Sequence, residues 1–317
     1  MHRYIIKRLL LMIPVIIGVS FLVFFIMDLA PGDAVDILAP EGATAEDLEA
    51  IRHDLGLDQP VIVRYVKYMG GMLHGDMGVS YVSKTDVFDT YMEKLPATIK
   101  LSFVSILVSI LLSVPLGIYS ATRQGTVQDN ISMIVAMIGL SMPNFWLGLL
   151  LIIVFSLNLG WFPSGGDQTL SSIVLPAITI GTGLMATLTR TTRSSMLDVL
   201  KQEYLRTARA KGIPEKIVIT SHALRNALIP IITIIGTQLA GVLGGSVLTE
   251  TVFAWPGVGR LIVDSLNMRD TPLVTGSIIM TTILLSIILL LVDLLYAVVD
   301  PRIKAQYVAK RGKKKHG

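Results

Sequence analysis

The sequence predicts an all-α integral membrane protein with six transmembrane helices, and three observations support that fold class. Of its 317 residues, 52% are hydrophobic and 16% are charged, so the chain is too apolar for an ordinary soluble domain. Its mean hydropathy is +0.66. Six regions carry almost no charge and are long enough to cross a hydrocarbon core of about 30 Å, which takes about 20 helical residues.

The third of the six predicted spans is unusually long and contains Pro143. The spans are 9–27, 101–121, 131–159, 171–189, 227–249 and 272–299. Proline removes a helix hydrogen bond and its ring clashes with the preceding turn. We therefore expect a kink or an irregular stretch at Pro143. The last span contains the one acidic residue in these regions, Asp293.

The first span follows a basic segment, MHRYIIKR, as the apolar region of a secretory signal peptide would. Its apolar run is longer than the usual 7 to 15 or so residues of such a peptide, and the following MDLAPGD is a poor cleavage site. More spans follow. We therefore expect an uncleaved N-terminal helix within residues 1–30.

Basic residues are distributed unevenly between the segments that join the spans. Most of the 27 Lys and Arg residues lie before the first span, between the fourth and fifth, and in the tail 301–317. The positive-inside rule therefore places both termini of this multi-pass protein in the cytoplasm. The tail KRGKKKHG is typical of a topology anchor attracted to anionic lipid, and we expect no nucleic-acid partner.

The segment 31–96, predicted to lie outside, is expected to be helical. Thr44 and Asp47 have the spacing of a capping box, and Gly56 is a suitable stop for the helix that follows them. A second helix is expected after Pro60, ending at Gly70 and Gly71. Its predicted apolar side comprises Val61, Tyr65, Tyr68, Met69 and Met72.

The segment 31–96 also contains three residues of types that can bind a metal ion. His53, His74 and Asp76 lack the spacing of a metal site and are expected to be surface residues. The chain contains no cysteine, which excludes disulfides and thiolate metal ligands. We expect no metal site and no catalytic residues.

The segment after the fifth span is dense in aromatic residues and glycines. It reads ETVFAWPGVGRLIVDSLNMRDTP and contains Phe253, Trp255, Pro256, Gly257 and Gly259. One interpretation is an aromatic anchor at the membrane interface, since Trp favours the headgroup level. The other is a gate element over a pathway, in which glycines allow close backbone approach. The residues alone leave both open.

The basic segment 190–226 is predicted to contain an amphipathic helix. Ser195 and Asp198 suggest a capping box and a helix start near Met196. Gly212 fits a left-handed cap and Pro214 the first turn of a following helix. The residues predicted to share one face of the amphipathic helix are Leu197, Leu200, Tyr204 and Ala208.

An amphipathic basic helix can lie on lipid, connect two spans or dock against another protein. A lipid-surface helix usually carries bulkier apolar anchors. Here the residues include Ala208, Ala210 and Gly212, which permit close approach of a partner. Docking is therefore the favoured interpretation.

The sequence RTARAKG followed by HALRNALIP is similar to the cytoplasmic EAA loop of ABC importer permeases, in the form used by the dipeptide and oligopeptide family. Further motifs of that family occur in order along nearly the whole chain: APGD, LGLDQP, HGDMGVS, LSMPNFWLG, LPAITIG, TRSSMLDVL, ETVFAWPGVGR, RDTP and LVDLLYAVVDPRI. The resemblance implies a five-helix permease core, 97–300, that follows the segment 31–96.

The resemblance also implies where the functional residues lie. The ATPase-coupling helix would comprise Glu203, Tyr204, Arg206, Thr207, Ala208, Arg209, Ala210, Lys211 and Gly212. The Phe253 to Gly259 residues named above would form an external gate, and Ser141, Met142, Pro143 and Asn144 would line the pathway. One departure is Arg206, which stands where the general consensus has glutamate, so the role of that glutamate cannot be carried over.

The partners follow from the resemblance and from an absent motif. The chain has no G-x-x-x-x-G-K-[ST] phosphate-binding loop, so ATP and Mg²⁺ would be bound by partner subunits. The resemblance implies a second, homologous permease, two ABC ATPase subunits and an extracytoplasmic substrate-binding protein. Short peptides are the expected substrates, with glutathione, nickel chelates or sugars as alternatives.

An ion-coupled secondary transporter is the rival class of protein. Such transporters usually place ionisable residues deep within their spans. The sequence offers Asp293, about seven residues from the predicted cytoplasmic end of the last span. We expect its carboxyl group to be structural.

Overall fold

The computed structural model of the protein describes residues 2–29, 34–40 and 42–299, and the regular elements in these ranges are helices. The predicted basic tail, 301–317, lies outside the described residues. The first four helices are α1 (His2–Leu29), α2 (Ala34–Leu38), α3 (Ala45–Asp54) and α4 (Val61–Leu73).

The predicted capping box at the start of α3 is confirmed. The backbone N–H of Thr44 donates to the Asp47 carboxylate at 2.9 Å and its hydroxyl donates at 2.7 Å. The N–H of Asp47 donates back to Thr44 Oγ1 at 3.3 Å. These bonds lower the pKa of Asp47 because they stabilise its ionised form. Gly56 has φ 67°, so the predicted stop after this helix is also confirmed.

Helix α4 extends beyond its predicted end at Gly70 and Gly71. It continues to Leu73, and the residue with a left-handed backbone is Gly75, with φ 87°. The Asp76 N–H donates to Gly71 O at 3.0 Å, so the chain turns only after Gly71 has completed its helical turn. The predicted apolar side is confirmed as the half-buried side of α4.

The next elements are α5 (Val87–Thr122), α6 (Val127–Ser141), α7 (Asn144–Leu151), a π-helical stretch Ile152–Asn158 and α8 (Val174–Leu200). The expected irregularity at Pro143 is confirmed. Met142 is extended, with φ −103° and ψ 131°, as the residue before a proline prefers to be. The helical axis bends by 97° between α6 and the α7 stretch.

Helix α8 runs unbroken through the predicted helix start near Met196. Ser195 and Met196 lie inside α8 and are both buried, because they belong to its packed face. Ser195 therefore does not serve as a cap. The chain leaves the helix only at Lys201. The amphipathic helix is α9 (Glu203–Ala210), which begins seven residues later than predicted.

The remaining helices are α10 (Glu215–Ile217), α11 (Leu224–Gly245), α12 (Val247–Val252), α13 (Val258–Asn267) and α14 (Thr271–Val299), with a π-helical stretch Val218–Ala223 before α11. The predicted fifth span was wrong at its end. It stops at Gly245, and residues 247–249 belong to the separate helix α12, because Ser246 leaves the helical conformation with ψ 2°.

Within the described residues, five helices are long and apolar enough to cross a membrane, and the bent α6–α7 stretch makes a sixth if it is one span. These residues form two compact units. One contains residues within 1–100 and 244–287, and the other residues within 101–243 and 288–317. In the second unit, α6 and α7 both pack against α8.

Close packing of α5 on α8 in the second unit depends on small residues. A Cβ atom at Gly181 would lie 2.8 Å from Val108 Cγ1 and 2.9 Å from Ser105 O. Membrane helices pack closely where small residues let their backbones approach. This packing fixes α8, the helix that leads directly into α9.

Candidate functional site

Helix α9 is held to the second unit by two apolar side chains. Leu205 and Ala208 are buried in a cluster whose other buried members are Ala121, Leu188, Met196, Val218, Ala223, Ala227 and Ile231. Tyr204, predicted to lie on the same face, is 42% exposed. The predicted face of the helix was therefore wrong at Tyr204 and right at Ala208.

Polar side chains fasten both ends of α9 to the chain that follows it. The Arg209 guanidinium donates two hydrogen bonds to the Glu215 carboxylate, from Nη2 at 2.8 Å and Nε at 3.0 Å. At the other end, Asn226 Nδ2 donates to the Tyr204 hydroxyl oxygen at 2.8 Å. Nearby Glu215 raises the pKa of Arg209, because it stabilises the charged guanidinium.

Gly212 provides the turn between α9 and α10. Its φ is 76°, so the predicted left-handed cap is confirmed. Its N–H donates to Arg209 O at 2.9 Å, and the Ile213 N–H donates to Ala208 O at 3.3 Å. No heavy atom lies within 4 Å of the position of a Cβ at Gly212. The glycine is needed here for its backbone conformation, since the chain itself leaves space for a side chain.

The other side chains of α9 form an exposed, polar and basic face. Its members are Glu203, Tyr204, Arg206, Thr207, Arg209, Ala210 and, after the helix, Lys211 and Gly212. Arg206 pairs with Glu203 at 2.9 Å, and their side chains are 75% and 79% exposed. This face, which we call the α9 face, carries no large aliphatic side chain.

An ion pair with a buried carboxylate, which the sequence analysis missed, lies in the same unit. The side chain of Asp129 is only 4% exposed, and it accepts two hydrogen bonds from Arg193, at 2.8 Å from Nε and 2.6 Å from Nη2. Ser120 Oγ and the Gly125 N–H also donate to it, at 2.5 and 3.0 Å. Asp129 thus ties the turn between α5 and α6 to α8.

The four predicted pathway residues lie at the break between α6 and α7. Ser141, Pro143 and Asn144 are exposed and Met142 is half-buried. A Cβ atom at Gly183 would lie 2.6 Å from Asn144 Oδ1, so the Asn144 amide lies against the backbone of α8. A helix broken in this way leaves main-chain polar groups that must be satisfied by protein or water.

The aromatic and glycine-rich segment after α12 forms a packed loop in the first unit. We call residues 253–259 the Trp255 loop. Phe253 and Trp255 are both 1% exposed, and Trp255 Nε1 donates to Ala97 O at 2.9 Å. Gly257 and Gly259 are also buried, whereas Pro256 is half-buried. The indole is therefore packed inside this unit and does not lie on its surface.

Glu250, on α12, is the buried group around which this loop folds. Its side chain has no exposed surface, and its carboxylate accepts hydrogen bonds from Thr98 Oγ1 at 2.9 Å and Ser246 Oγ at 2.8 Å. Sequence analysis missed it because a single acidic residue just beyond a predicted span is usually solvated. The two nearby glycines were the available signal.

Comparison with known proteins identifies the family. The sequence model described as "Binding-protein-dependent transport system inner membrane component" matches residues 113–305. The model of its N-terminal region, "Binding-prot-dependent transport system membrane comp, N-term", matches residues 1–102. The chain belongs to this family. The prediction of a permease subunit of an ABC importer is thereby confirmed, and the permease resides in a membrane as part of a multi-subunit transporter.

Curated relatives of the permease match along almost their full length. The oligopeptide transport system permease protein AppB of Bacillus subtilis (strain 168) is 44% identical over 315 residues, which cover 96% of this chain and 100% of that protein. The glutathione transport system permease protein GsiC of Escherichia coli (strain K12) is 41% identical over 304 residues, covering 96% and 99%.

Solved structures match the permease in fold. A structure described as inward-facing conformations of the MetNI methionine ABC transporter aligns with a TM-score of 0.56 and 18% identity, covering 67% of this chain and 96% of that one. A second crystal form aligns with a TM-score of 0.53 and 20% identity, covering 67% and 97%. These matches support the all-helical permease fold predicted from the sequence.

Proposed function

We propose that this permease forms half of the transmembrane translocation pathway of an ATP-driven importer of short peptides. The observation that carries the proposal is the 44% identity to an oligopeptide permease over the full length of that protein. The 41% identical relative is named for glutathione, which is itself a short peptide. Peptide chemistry is common to both names, so peptides are favoured over nickel chelates and sugars.

The proposed assembly contains a second homologous permease, two ABC ATPase subunits and an external substrate-binding protein. The chain has no phosphate-binding loop of its own, so the energy must enter from partner subunits. The α9 face is the proposed docking site for an ATPase subunit. The proposal is supported by the polar, basic and exposed surface of this helix. Two buried side chains and the hydrogen bonds of Arg209 and Tyr204 hold the helix in place.

The α6–α7 break is proposed to face the transport pathway. Irregular backbone at membrane depth is tolerated where protein covers it or where it lines a water-filled cavity. Ser141, Pro143 and Asn144 are exposed in the single chain, and discontinuous helices commonly contribute the substrate sites of transporters. The same residues would form part of the contact with the second permease if they did not line the pathway.

The Trp255 loop is proposed as the external gate. The supporting observation is that its glycines bring the loop backbone against the buried carboxylate of Glu250. The loop is therefore packed in one conformation and is not an exposed loop that can adopt several. A gate must resume the same closed position in every cycle, and a packed loop has this property. An interfacial anchor is the less favoured interpretation because the indole is buried.

The proposed orientation places the segment between α1 and α5 outside and the α9 face inside. Cysteine labelling can test this because the chain has no cysteine of its own. An impermeant maleimide applied to intact cells should label Glu46→Cys and should not label Lys201→Cys, both exposed positions. Labelling of both residues, or of Lys201→Cys alone, would contradict the orientation.

Reconstitution of the full transporter tests the function. Vesicles containing both permeases, the ATPase subunits and the loaded binding protein should take up a radiolabelled dipeptide or tripeptide with ATP inside, and an ion gradient should not replace ATP. Uptake driven by a proton or sodium gradient without ATP would instead support an ion-coupled transporter.

A glycine substitution tests the proposed docking site. Asp at Gly212 strains the positive-φ turn and also places a side chain where the single chain leaves open space, so that side chain itself would meet only a docked partner. We expect Gly212→Asp to insert and pair with the second permease but to lose ATPase subunits and uptake. Gly56→Asp is the matched control, because Gly56 also has a positive φ, 67°, and an open Cβ position. Equal retention of ATPase subunits and uptake by both variants would contradict docking at the α9 face.

A further inference from the structure

Glu250 is a buried carboxylate whose hydrogen-bond partners are all donors. It accepts from Thr98 Oγ1, from Ser246 Oγ and, at 3.2 Å, from the backbone N–H of Arg260. The Thr98 hydroxyl, which donates to Glu250, also accepts a hydrogen bond from the Val258 N–H at 2.8 Å. An ionised carboxylate, which only accepts hydrogen bonds, matches this set of donors.

Two of these bonds satisfy the start of α13. The first N–H groups of a helix have no partner within the helix. In α13 the Val258 N–H bonds to Thr98 Oγ1 and the Arg260 N–H bonds to Glu250 Oε2. The helix N-terminus carries partial positive charge and stabilises a nearby anion. Glu250 and Thr98 therefore cap α13 from two other helices, α12 and α5.

The charge of Glu250 has no salt-bridge partner among the described residues. The Arg260 guanidinium, the nearest candidate along the chain, instead donates to Ala254 O at 2.7 Å and lies 3.4 Å from Asp264. Lys100 lies over the Trp255 ring, with Nζ 5.9 Å from the ring centroid. A buried charge without hydrogen-bonded compensation is costly, so the three donors and the helix terminus must compensate for it.

The two loop glycines make room for this carboxylate. A Cβ atom at Gly257 would lie 2.5 Å from Glu250 Cδ and 2.5 Å from Thr98 Oγ1. A Cβ atom at Gly259 would lie 2.9 Å from Glu250 Oε2 and 2.7 Å from Val247 Cα. Neither glycine has a positive φ, so both are required for space.

We propose that Glu250 is a positioning residue of the transport cycle. Together with Thr98 it fastens the Trp255 loop to the beginning of α5, so that the loop and this end of the helix move as one body. The charge of the carboxylate is the required property, because an ionised carboxylate accepts all three bonds without either hydroxyl having to reorient. The proposal rests on the proposed gate function of the loop.

Glu250→Gln tests the requirement for charge with little change of shape. With an NH₂ group at residue 250, either the Arg260 N–H loses its acceptor or the Thr98 and Ser246 hydroxyls must turn their protons away to accept from the amide. We expect uptake at saturating substrate to fall at least about tenfold, as the loss of one hydrogen bond to a charged group can produce, with the ATPase subunits still bound. Asp264→Asn, which neutralises an exposed carboxylate on α13, is the matched control and should transport as the wild type does.

Trp255 fluorescence provides a readout of the loop itself. The chain has three tryptophans, and replacing Trp146 and Trp161 with Phe leaves Trp255 as the reporter. Glu250→Gln in this background should shift the emission to longer wavelength and increase acrylamide quenching, because the indole loses its packed site. Wild-type uptake together with wild-type emission would overturn the proposal.

Thr98→Val decides the outcome if Glu250→Gln fails to assemble. This change removes the hydroxyl that links Glu250 to α13 but keeps the side-chain shape. The proposal requires that the Thr98→Val transporter assembles, with reduced uptake and with Trp255 emission shifted to longer wavelength. An assembled transporter with normal uptake would exclude the positioning role. Failure of the importer function would appear separately, as a wild-type transporter without ATP-dependent uptake.

Discussion

The segment that carries the α9 face and the segment that contains the Trp255 loop are both short, glycine-containing connections between spans. They differ in whether their polar groups are exposed or buried. The polar groups of α9 are paired at the surface. Its ion pair between Arg209 and Glu215 leaves the two side chains 37% and 55% exposed. The Trp255 loop instead closes over Glu250, which has no exposed surface.

The glycines show the same contrast. Gly212 has φ 76° and an open Cβ position, whereas Gly257 has φ −95° and no room for a Cβ atom. The first glycine is selected for backbone conformation and the second for space. Two glycine-containing turns can therefore have different roles: the turn at Gly212 leaves an exposed surface for a partner, whereas the loop at Gly257 is packed and buried.

The largest expected effect breaks the attachment of α9. Leu205→Ala removes a fully buried side chain, a change that typically costs about 2–5 kcal/mol in a packed core. We expect α9 to detach and ATPase subunits to be lost during purification. Arg206→Ala is the comparison, because its exposed pair contributes only about 0.2–1 kcal/mol. Equal loss of ATPase subunits from both variants would mean that the exposed arginine matters to docking as much as the seating of the helix does.

The second expected effect breaks the packing of the Trp255 loop. Gly257→Ala forces a methyl group against Glu250 and Thr98, and such overpacking typically costs about 1–3 kcal/mol. The unfolding temperature of the purified permease should fall. Gly245→Ala is the control, since nothing lies within 4 Å of its Cβ position. Equal unfolding temperatures for the two variants would show that the loop can open to admit the methyl group.

The smallest expected effect concerns Asp293, which sharpens the contrast with Glu250. Asp293 is half-buried near the end of α14, where a carboxyl group can be replaced by an amide without losing its shape. Asp293→Asn should assemble and transport within about twofold of the wild type, a difference of about 0.4 kcal/mol. Uptake assays in reconstituted vesicles measure this directly. Abolished uptake in a normally assembled complex would point to an ion-coupled step.

The sequence predicted the local features of the fold well. Each depends on neighbouring residues: the Thr44–Asp47 capping box, the stop at Gly56, the break at Pro143 and the turn at Gly212. Boundaries set by tertiary packing were missed. The Ser195–Asp198 pattern resembles a cap, but burial of Ser195 and Met196 keeps α8 continuous to Leu200. A pattern of four residues cannot report this burial.

The polar groups that organise the site could not be found from sequence spacing. Glu250 meets Thr98 across 152 positions of the chain, and Asp129 meets Arg193 across 64. Neither pair has a periodic or motif relationship. The small residues Ala208, Ala210 and Gly212 were predicted to allow close approach of a partner, but Ala208 packs into the core of its own chain. The local sequence therefore predicts the backbone conformation that a residue adopts, but it does not predict which surface that residue packs against.

The bend between α6 and α7 has a consequence for biogenesis. Helix α6 contains 15 residues, about 22 Å of helix at 1.5 Å per residue, and the Asn144–Asn158 stretch is of equal length. A hydrocarbon core of about 30 Å is wider than either half, so neither half can cross it alone once the chain is bent. Both halves pack on α8, which is synthesised after them. The bent arrangement of the two halves can therefore be fixed only after α8 has been synthesised, even if the apolar run enters the membrane earlier.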